Sequence, residues 1–142
     1  MSPQALFALA WFHAVIQERR NYIPQGWTKF YEFSNADLRS GADIIDRLCT
    51  GTGSIQWDFI HGLFENAVFG GRIDNNYDLE VLRSYLYQYF DRDVLGGKGR
   101  RKLAALVELP LSVNHKDYVK AIAALPDTDS PVIFSLPKNI DR

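Results

Sequence analysis

The alternation of apolar and polar positions predicts a series of helices, and the first half of the first helix is apolar on every side. Ser2 can cap this helix with Pro3 at its first position, where the missing N–H is harmless. The pattern predicts that it runs to about Arg20 and ends in a polar tail of Glu18, Arg19 and Arg20, with the cations where the helix dipole favours them. A surface helix shows a single apolar stripe. We therefore expect this helix either to be central or to cover a neighbour outside the chain. Its candidate interface residues are Phe7, Leu9, Trp11 and Phe12.

The segment from residue 21 to residue 33 is predicted to be an ordered loop. Pro24 and Gly26 interrupt any helix there. Five of its thirteen residues are aromatic, which is too many for a loop surrounded by solvent. We expect this loop to pack over the core.

The second helix has a clear start signal. Ser34 is the predicted N-cap, with Asp37 three residues later as a variant of the capping box. Phe33 and Leu38 occupy the two positions of a hydrophobic staple. The apolar face that follows consists of Leu38, Ala42, Ile45 and Cys49. Gly51 or Gly53 is expected to end the helix.

Three more helices are predicted. The third begins after Ser54 and stops at Gly70-Gly71, where we expect at least one glycine with positive φ in a left-handed C′ conformation. The fourth follows the turn 72–76, and its expected inner face is Leu79, Leu82, Leu86 and Tyr89 or Phe90. The fifth begins at Asn114 and closes at Pro126.

The remaining stretches are less regular. Residues 91–102 are expected to be the least ordered part of the chain, because glycines and cations leave little to bury there. Residues 103–113 suit a short strand, a helical turn or both, and 130–136 suit a last turn. The pattern predicts an all-α bundle of about five helices with aromatic-rich loops, forming one domain over 1–142.

Composition excludes several classes of protein. The chain has 142 residues and a net charge of -1, so no global field recruits nucleic acid or an anionic membrane. The single cysteine, Cys49, rules out an internal disulfide and favours a reducing compartment. The apolar run 5–16 is shorter than the roughly 20 residues that span a bilayer, and it lacks the flanks of a signal peptide. We therefore expect no membrane segment.

No catalytic or metal-binding constellation emerges from the motifs. Lys98 in Gly97-Lys98-Gly99 lacks the first glycine and the hydroxyl of a phosphate loop. The basic run of Lys98, Arg100, Arg101 and Lys102 has no interleaved aromatics, so a solvated loop is favoured over nucleic-acid binding. His13, His61 and His115 share no ligand spacing. We expect His13 to be a hydrogen-bonded core histidine.

The turn Gly70-Gly71-Arg72 is the most suggestive local feature. An arginine placed by two glycines at the mouth of a helix is able to reach a phosphate in a neighbouring subdomain. The favoured interpretation is structural, with Arg72 pairing with Asp74 or Asp78. A phosphate sensor at Arg72 is the less favoured alternative.

Longer stretches of sequence carry a resemblance. They are residues 11–20 with Gly26-Trp27 and 31–33, then Phe69-Gly70-Gly71-Arg72-Ile73-Asp74-Asn75 with Asp78, and finally Leu125-Pro126, Asp129-Ser130-Pro131, Phe134, Leu136 and Asn139. In this order they resemble the dynein heavy chain over nearly the whole chain. Residues 21–33 are most similar to the cytoplasmic dynein 2 branch. Ser135 departs from the glycine often found at this position in the family.

The resemblance implies a mechanical role. The segment would be the helical lid of the sixth AAA+ module in a minus-end-directed microtubule motor, the dynein of retrograde intraflagellar transport in cilia. ATP and magnesium would belong to the parent motor, since the sixth module is regarded as having lost nucleotide binding. The expected partners are neighbouring AAA+ modules, the C-terminal domain, other dynein subunits and microtubules. The expected locations are the cytoplasm, the cytoskeleton and the cilium.

Two other classes of function are weighed against the lid. An independent helical module would dock partners through its apolar first helix, and it would need to fold without a parent. An enzyme is a third interpretation, which the missing nucleophile–base and metal constellations disfavour. We expect this segment itself to be neither an enzyme nor a cofactor-binding unit.

Overall fold

The computed structural model describes residues 3–22, 27–29, 31–49, 57–90, 102–104, 107–108 and 114–125. The helices are α1 (Pro3–Glu18), α2 (Asn35–Cys49), α3 (Trp57–Leu63), α4 (Asn76–Tyr89) and α5 (His115–Ala123). A 3-10 turn, Arg19–Tyr22, follows α1; a π-helix, Phe64–Val68, and a 3-10 turn, Gly70–Arg72, follow α3. Strands β1 (Lys102–Ala104) and β2 (Val107–Glu108) form an antiparallel pair.

The predicted all-α bundle of about five helices is confirmed. The small β-ribbon lies in the segment for which the sequence left a strand and a helical turn open. Within the described ranges, no helix is long and apolar enough to cross a bilayer. The predictions for 91–101 and for 126 onward, and the expected burial of the Cys49 side chain, lie outside the described residues.

Helix α1 is the centre of the core. It packs against α2 and α4, and its fully buried positions are Ala5, Ala8, Leu9, Phe12, Val15 and Ile16. A helix that is apolar all round has to be enclosed, and here the same chain supplies the enclosure. Of the two alternatives raised by the sequence, the central helix is the one observed.

The interface prediction for α1 is therefore wrong for three of its four residues. Leu9, Trp11 and Phe12 are only 1%, 7% and 0% exposed. Phe7 is half-buried, and its ring lies 5.6 Å from that of Tyr118 on α5. The prediction failed because the apolar pattern shows only that every face must be covered, not which segment covers it.

The aromatic loop packs over the core as predicted. Trp27, Tyr31 and Phe33 are buried. The indole N–H of Trp27 donates a 2.9 Å hydrogen bond to the carbonyl oxygen of Ile16. This bond satisfies an acceptor in the last turn of α1, where carbonyls have no partner within the helix.

The predicted starts of α2 and α5 are also confirmed, whereas the predicted starts at Ser2 and after Ser54 lie outside the described residues. At α2 the backbone N–H of Ser34 donates to Asp37 Oδ2 over 2.9 Å, which is one half of the capping box. At α5 the Asn114 side chain accepts from the backbone N–H of Lys116. The expected inner face of α4 is buried or half-buried throughout: Leu79, Leu82, Leu86, Tyr89 and Phe90.

The glycine pair does not form the predicted left-handed cap. Neither Gly70 nor Gly71 has a φ between +20° and +160°. The chain instead continues from α3 through the π-helix, in which the Phe69 N–H donates to the Phe64 carbonyl five residues back. A Cβ at position 70 would overlap the backbone carbonyl of Glu65, so close backbone approach is what requires a glycine.

The π-helix places Phe69 at the junction of the aromatic core. Its ring centroid lies 5.0 Å from that of Phe12, 5.7 Å from that of Phe64 and 6.1 Å from that of Phe33. The first two pairs are edge-to-face, an arrangement that the aromatic quadrupole favours. Helix α1, the aromatic loop and the π-helix therefore meet at one side chain.

The two glycines make a matched pair for a stability test. We expect Gly70→Ala to destabilise the chain by about 3 kcal/mol or more, because backbone must move to admit the methyl group. Gly71→Ala should change stability by less than about 1 kcal/mol, because its Cβ would sit 3.8 Å from the nearest carbonyl oxygen, that of Asn66. Urea unfolding of both variants measures the difference, and equal losses would contradict the close-approach account.

Candidate functional site

Two carboxylates organise the polar side of the bundle, and both occupy the same kind of position. Asp37 lies three residues after the cap of α2, and Asp78 lies three residues after the cap of α4. A carboxylate in the first turn is stabilised by the helix dipole and by backbone N–H groups. Here each carboxylate also binds a segment that comes from elsewhere in the chain.

Asp37 holds the turn that follows the π-helix. Arg72 donates from Nε to Asp37 Oδ2 over 2.7 Å and from Nη2 to Oδ1 over 3.0 Å. This two-pronged geometry is the strong form of an arginine–carboxylate pair. The bond with Asp37 raises the pKa of Arg72 above its ordinary value. Arg72 does pair with an aspartate, but its predicted partners, Asp74 and Asp78, were wrong.

Those two aspartates have other partners. Asp74 forms a salt bridge with Lys29, and the hydrogen bond from Lys29 lowers the pKa of Asp74. Asp78 is fully buried. The sequence therefore identified the charges near the turn but not how they pair.

Asp78 ties the aromatic loop to α4. Its carboxylate accepts from the backbone N–H of Thr28 at 3.0 Å, from the Thr28 hydroxyl, and from the Tyr31 hydroxyl at 2.8 Å. Its own N–H donates to the cap Asn75. A buried carboxylate is tolerated when such donors satisfy it.

A polar cleft lies beside the Asp37–Arg72 pair. Its volume is about 390 Å³, and its lining residues are Gln17, Arg20, Glu32, Phe33, Ser34, Asn35 and Arg72. Gln17 spans one wall, since its Nε2 donates to the Phe33 carbonyl over 2.8 Å. The side chain of Arg72 is 47% exposed, so one side of the guanidinium faces the cleft while the other holds Asp37.

Sequence reasoning missed the burial of Arg19, which was predicted to belong to a polar tail. Its guanidinium carbon lies 5.3 Å from the ring centroids of both Trp27 and Tyr85, and its Nη1 donates to the Tyr85 hydroxyl. A cation between two aromatic faces is stabilised by their quadrupoles. Trp27, in the loop that follows α1, was a signal for this arrangement. The other aromatic partner of Arg19 is Tyr85, which lies 66 residues away from it in sequence.

His13 is a core histidine, but the expected hydrogen bond is not found. Neither ring nitrogen has a hydrogen-bond partner among the described residues, and its ring lies 6.0 Å from that of Phe69. Burial lowers the pKa of His13, and the nearby Asp37 charge opposes this shift. His61, by contrast, has its Nε2 2.6 Å from the Phe90 carbonyl oxygen.

The described residues contain no group of three or more histidine, cysteine, aspartate or glutamate side chains that could hold a metal. The cations Lys98, Arg100 and Arg101 lie outside the described ranges. What the described site offers is a set of polar connections between helices, with one cleft beside them.

The comparisons with known proteins agree on one family. The sequence model of the family described as dynein heavy chain AAA lid domain matches residues 2–140. The chain is 60% identical to cytoplasmic dynein 2 heavy chain 1 of Tripneustes gratilla, over 98% of this chain and 3% of that protein. The identity to the Homo sapiens protein of the same name is 56%, over 97% of this chain and 3% of that protein. The chain thus spans 3% of the length of these curated relatives.

The Asp78 network predicts a tyrosine that titrates late. Burial, followed by the hydrogen bond to Asp78, raises the pKa of Tyr31 from 10.0 to about 12. Unfolding therefore releases a proton between these pH values, so the stabilising contribution is complete below pH 10 and is lost as the pH rises to about 12. Burial also raises the pKa of Tyr85, so carbon NMR of labelled tyrosine rings should show late-titrating signals, one of which Tyr31→Phe removes. Persistence of every late signal in that variant would contradict the assignment.

Proposed function

Because the chain belongs to the dynein heavy chain AAA lid domain family, we propose that it acts as a mechanical lid in the AAA+ ring of a microtubule motor. The observation that carries the proposal is the pair of carboxylate connections. Asp37 holds the turn at Arg72, and Asp78 holds the aromatic loop at Thr28 and Tyr31. Together they join α2 to the turn that precedes α4, and α4 to the loop that precedes α2, which makes the bundle suited to transmit force as one body.

The finer assignment follows the relatives named cytoplasmic dynein 2 heavy chain 1. On this proposal the lid is that of the sixth AAA+ module. The parent is the minus-end-directed motor of retrograde intraflagellar transport, working in the cytoplasm, on the cytoskeleton and in cilia. Its partners are the neighbouring AAA+ modules and the C-terminal domain of the same heavy chain. Other dynein subunits and microtubules engage through the parent.

The independent docking module is the weaker alternative. It depended on an exposed face of α1, and Leu9, Trp11 and Phe12 lie in the core. No observation on the described residues favours it over the lid.

We further propose that ATP and magnesium serve the parent motor at other modules and that this segment does not hydrolyse ATP. Arg72 is the candidate phosphate contact, and its guanidinium already donates two hydrogen bonds to the Asp37 carboxylate. A phosphate would have to compete with this carboxylate for the guanidinium. One charged hydrogen bond contributes about 1.5–3 kcal/mol, which is less than the roughly 4 kcal/mol of a millimolar complex.

Calorimetry with magnesium-ATP on the isolated chain tests this part. We expect no binding tighter than about 1 mM, for the chain and for Arg72→Ala alike. A dissociation constant below about 100 µM that Arg72→Ala abolishes would show that Arg72 is a phosphate sensor after all.

The mechanical role is tested in the full heavy chain with Asp78→Ala. This change leaves the buried Tyr31 hydroxyl and the Thr28 N–H without their acceptor, at a cost of about 1–3 kcal/mol. We expect slower microtubule gliding and weaker stimulation of ATPase by microtubules, while basal ATPase persists. Asp43→Ala, at an exposed position of α2, is the matched control and should leave gliding unchanged. Normal gliding with Asp78→Ala in a verified folded motor would refute the lid as a force-bearing element.

A further inference from the structure

Helix α5 presents an apolar strip to its surroundings. Val119 and Ile122 are 51% and 57% exposed, and Ala123 is exposed beside them. At 100° per residue these three positions fall on one side of the helix. A strip of exposed apolar side chains on one side of a helix favours contact with another surface.

One edge of this strip is basic. Lys116 and Lys120 are exposed and follow Ala123 around the helix, one turn apart. The acidic residue of the helix, Asp117, lies beyond them on the side away from the strip. A partner that covers Val119 and Ile122 would therefore meet two ammonium groups along one border.

The side of α5 that adjoins this strip next to Ile122 contacts the rest of the described bundle. Tyr118 is its buried side chain, and the Tyr118 ring lies 5.6 Å from that of Phe7. An isolated helix of nine residues is not stable in water, and packing of a face has to hold it. A partner that covers the strip beside Tyr118 would add to the packing that the Tyr118 contact supplies.

We propose that this strip is a docking surface for another segment of the same heavy chain, outside these 142 residues, that carries apolar side chains bordered by aspartate or glutamate. The proposal rests on the proposed lid function. The relatives are far longer than this chain, which covers 3% of their length, so a covalently linked partner is present at high effective concentration. The two lysines specify the acidic border of that partner.

A second copy of this chain is a poorer occupant. Antiparallel pairing of two identical strips about a two-fold axis brings like edges together, so Lys116 and Lys120 would face their own counterparts. Like charges at such a border oppose association. A partner with carboxylates at this border has no such penalty.

Photo-crosslinking in the full-length heavy chain tests the proposal. Benzoylphenylalanine replaces Ile122, and in a parallel sample it replaces Asp43 on the exposed side of α2 as the control. We expect the Ile122 site to crosslink to one acidic segment of the same heavy-chain molecule outside these 142 residues, and the Asp43 site to miss that segment. Mixing isotopically light and heavy chains distinguishes crosslinks within a molecule from those between molecules.

Charge variants test the basic border. Lys116→Glu combined with Lys120→Glu should lower the yield of the Ile122 crosslink by about five- to tenfold, because attraction becomes repulsion. Lys116→Arg with Lys120→Arg keeps both charges and should preserve the yield. An equal yield in the two double variants would overturn the acidic border and with it the proposal.

Other crosslinking outcomes also overturn the proposal. They are crosslinks confined to these 142 residues, crosslinks between two copies, crosslinks to a different protein, and none at all. In each case gliding that remains sensitive to Asp78→Ala leaves the lid function standing while the docking surface fails. If gliding is insensitive to Asp78→Ala while the Ile122 crosslink forms as expected, the docking surface stands and the lid function fails.

Discussion

The constraint on which the rest of this structure depends is the enclosure of α1. A sixteen-residue helix whose first half has apolar side chains on all faces cannot remain at a surface, so other segments of the described chain have to cover it. Helices α2 and α4 pack on it directly, and the aromatic loop covers its last turn through Trp27. Phe69 reaches α1 from the π-helix and contacts Phe12. Exposure of the aromatic side chains of the loop to water would be unfavourable, and here they are buried and cover the core.

Features that depend on neighbouring residues were predictable from the sequence. The starts of α2 and α5 follow from capping residues, and the inner face of α4 follows from its helical period. These signals are local because a cap or a stripe is decided within two turns of helix. The same locality explains why the burial of α1 was an open alternative: the pattern of one helix requires cover, but it does not identify what provides it.

The features that escaped prediction depend on tertiary approach. Arg72 pairs with Asp37, which is 35 residues away, although two aspartates stand close to it in sequence. Gly70 is required by the Glu65 carbonyl and not by a positive φ, because the π-helix brings that carbonyl against position 70. A π-helix has no clear sequence signature, and a glycine pair after an apolar helix ordinarily indicates a left-handed cap. Only the packed structure distinguishes the two.

The two carboxylate connections differ in how they respond to their surroundings. The Asp37–Arg72 pair sits beside a polar cleft, and half of the Arg72 side chain is exposed, so salt and competing charges reach it. Asp78 is fully buried, and hydroxyl and backbone donors satisfy it. Screening weakens exposed pairs far more than buried ones. A rearrangement of the lid that preserves its core would therefore loosen the turn at Arg72 first, while the aromatic loop stays fixed to α4.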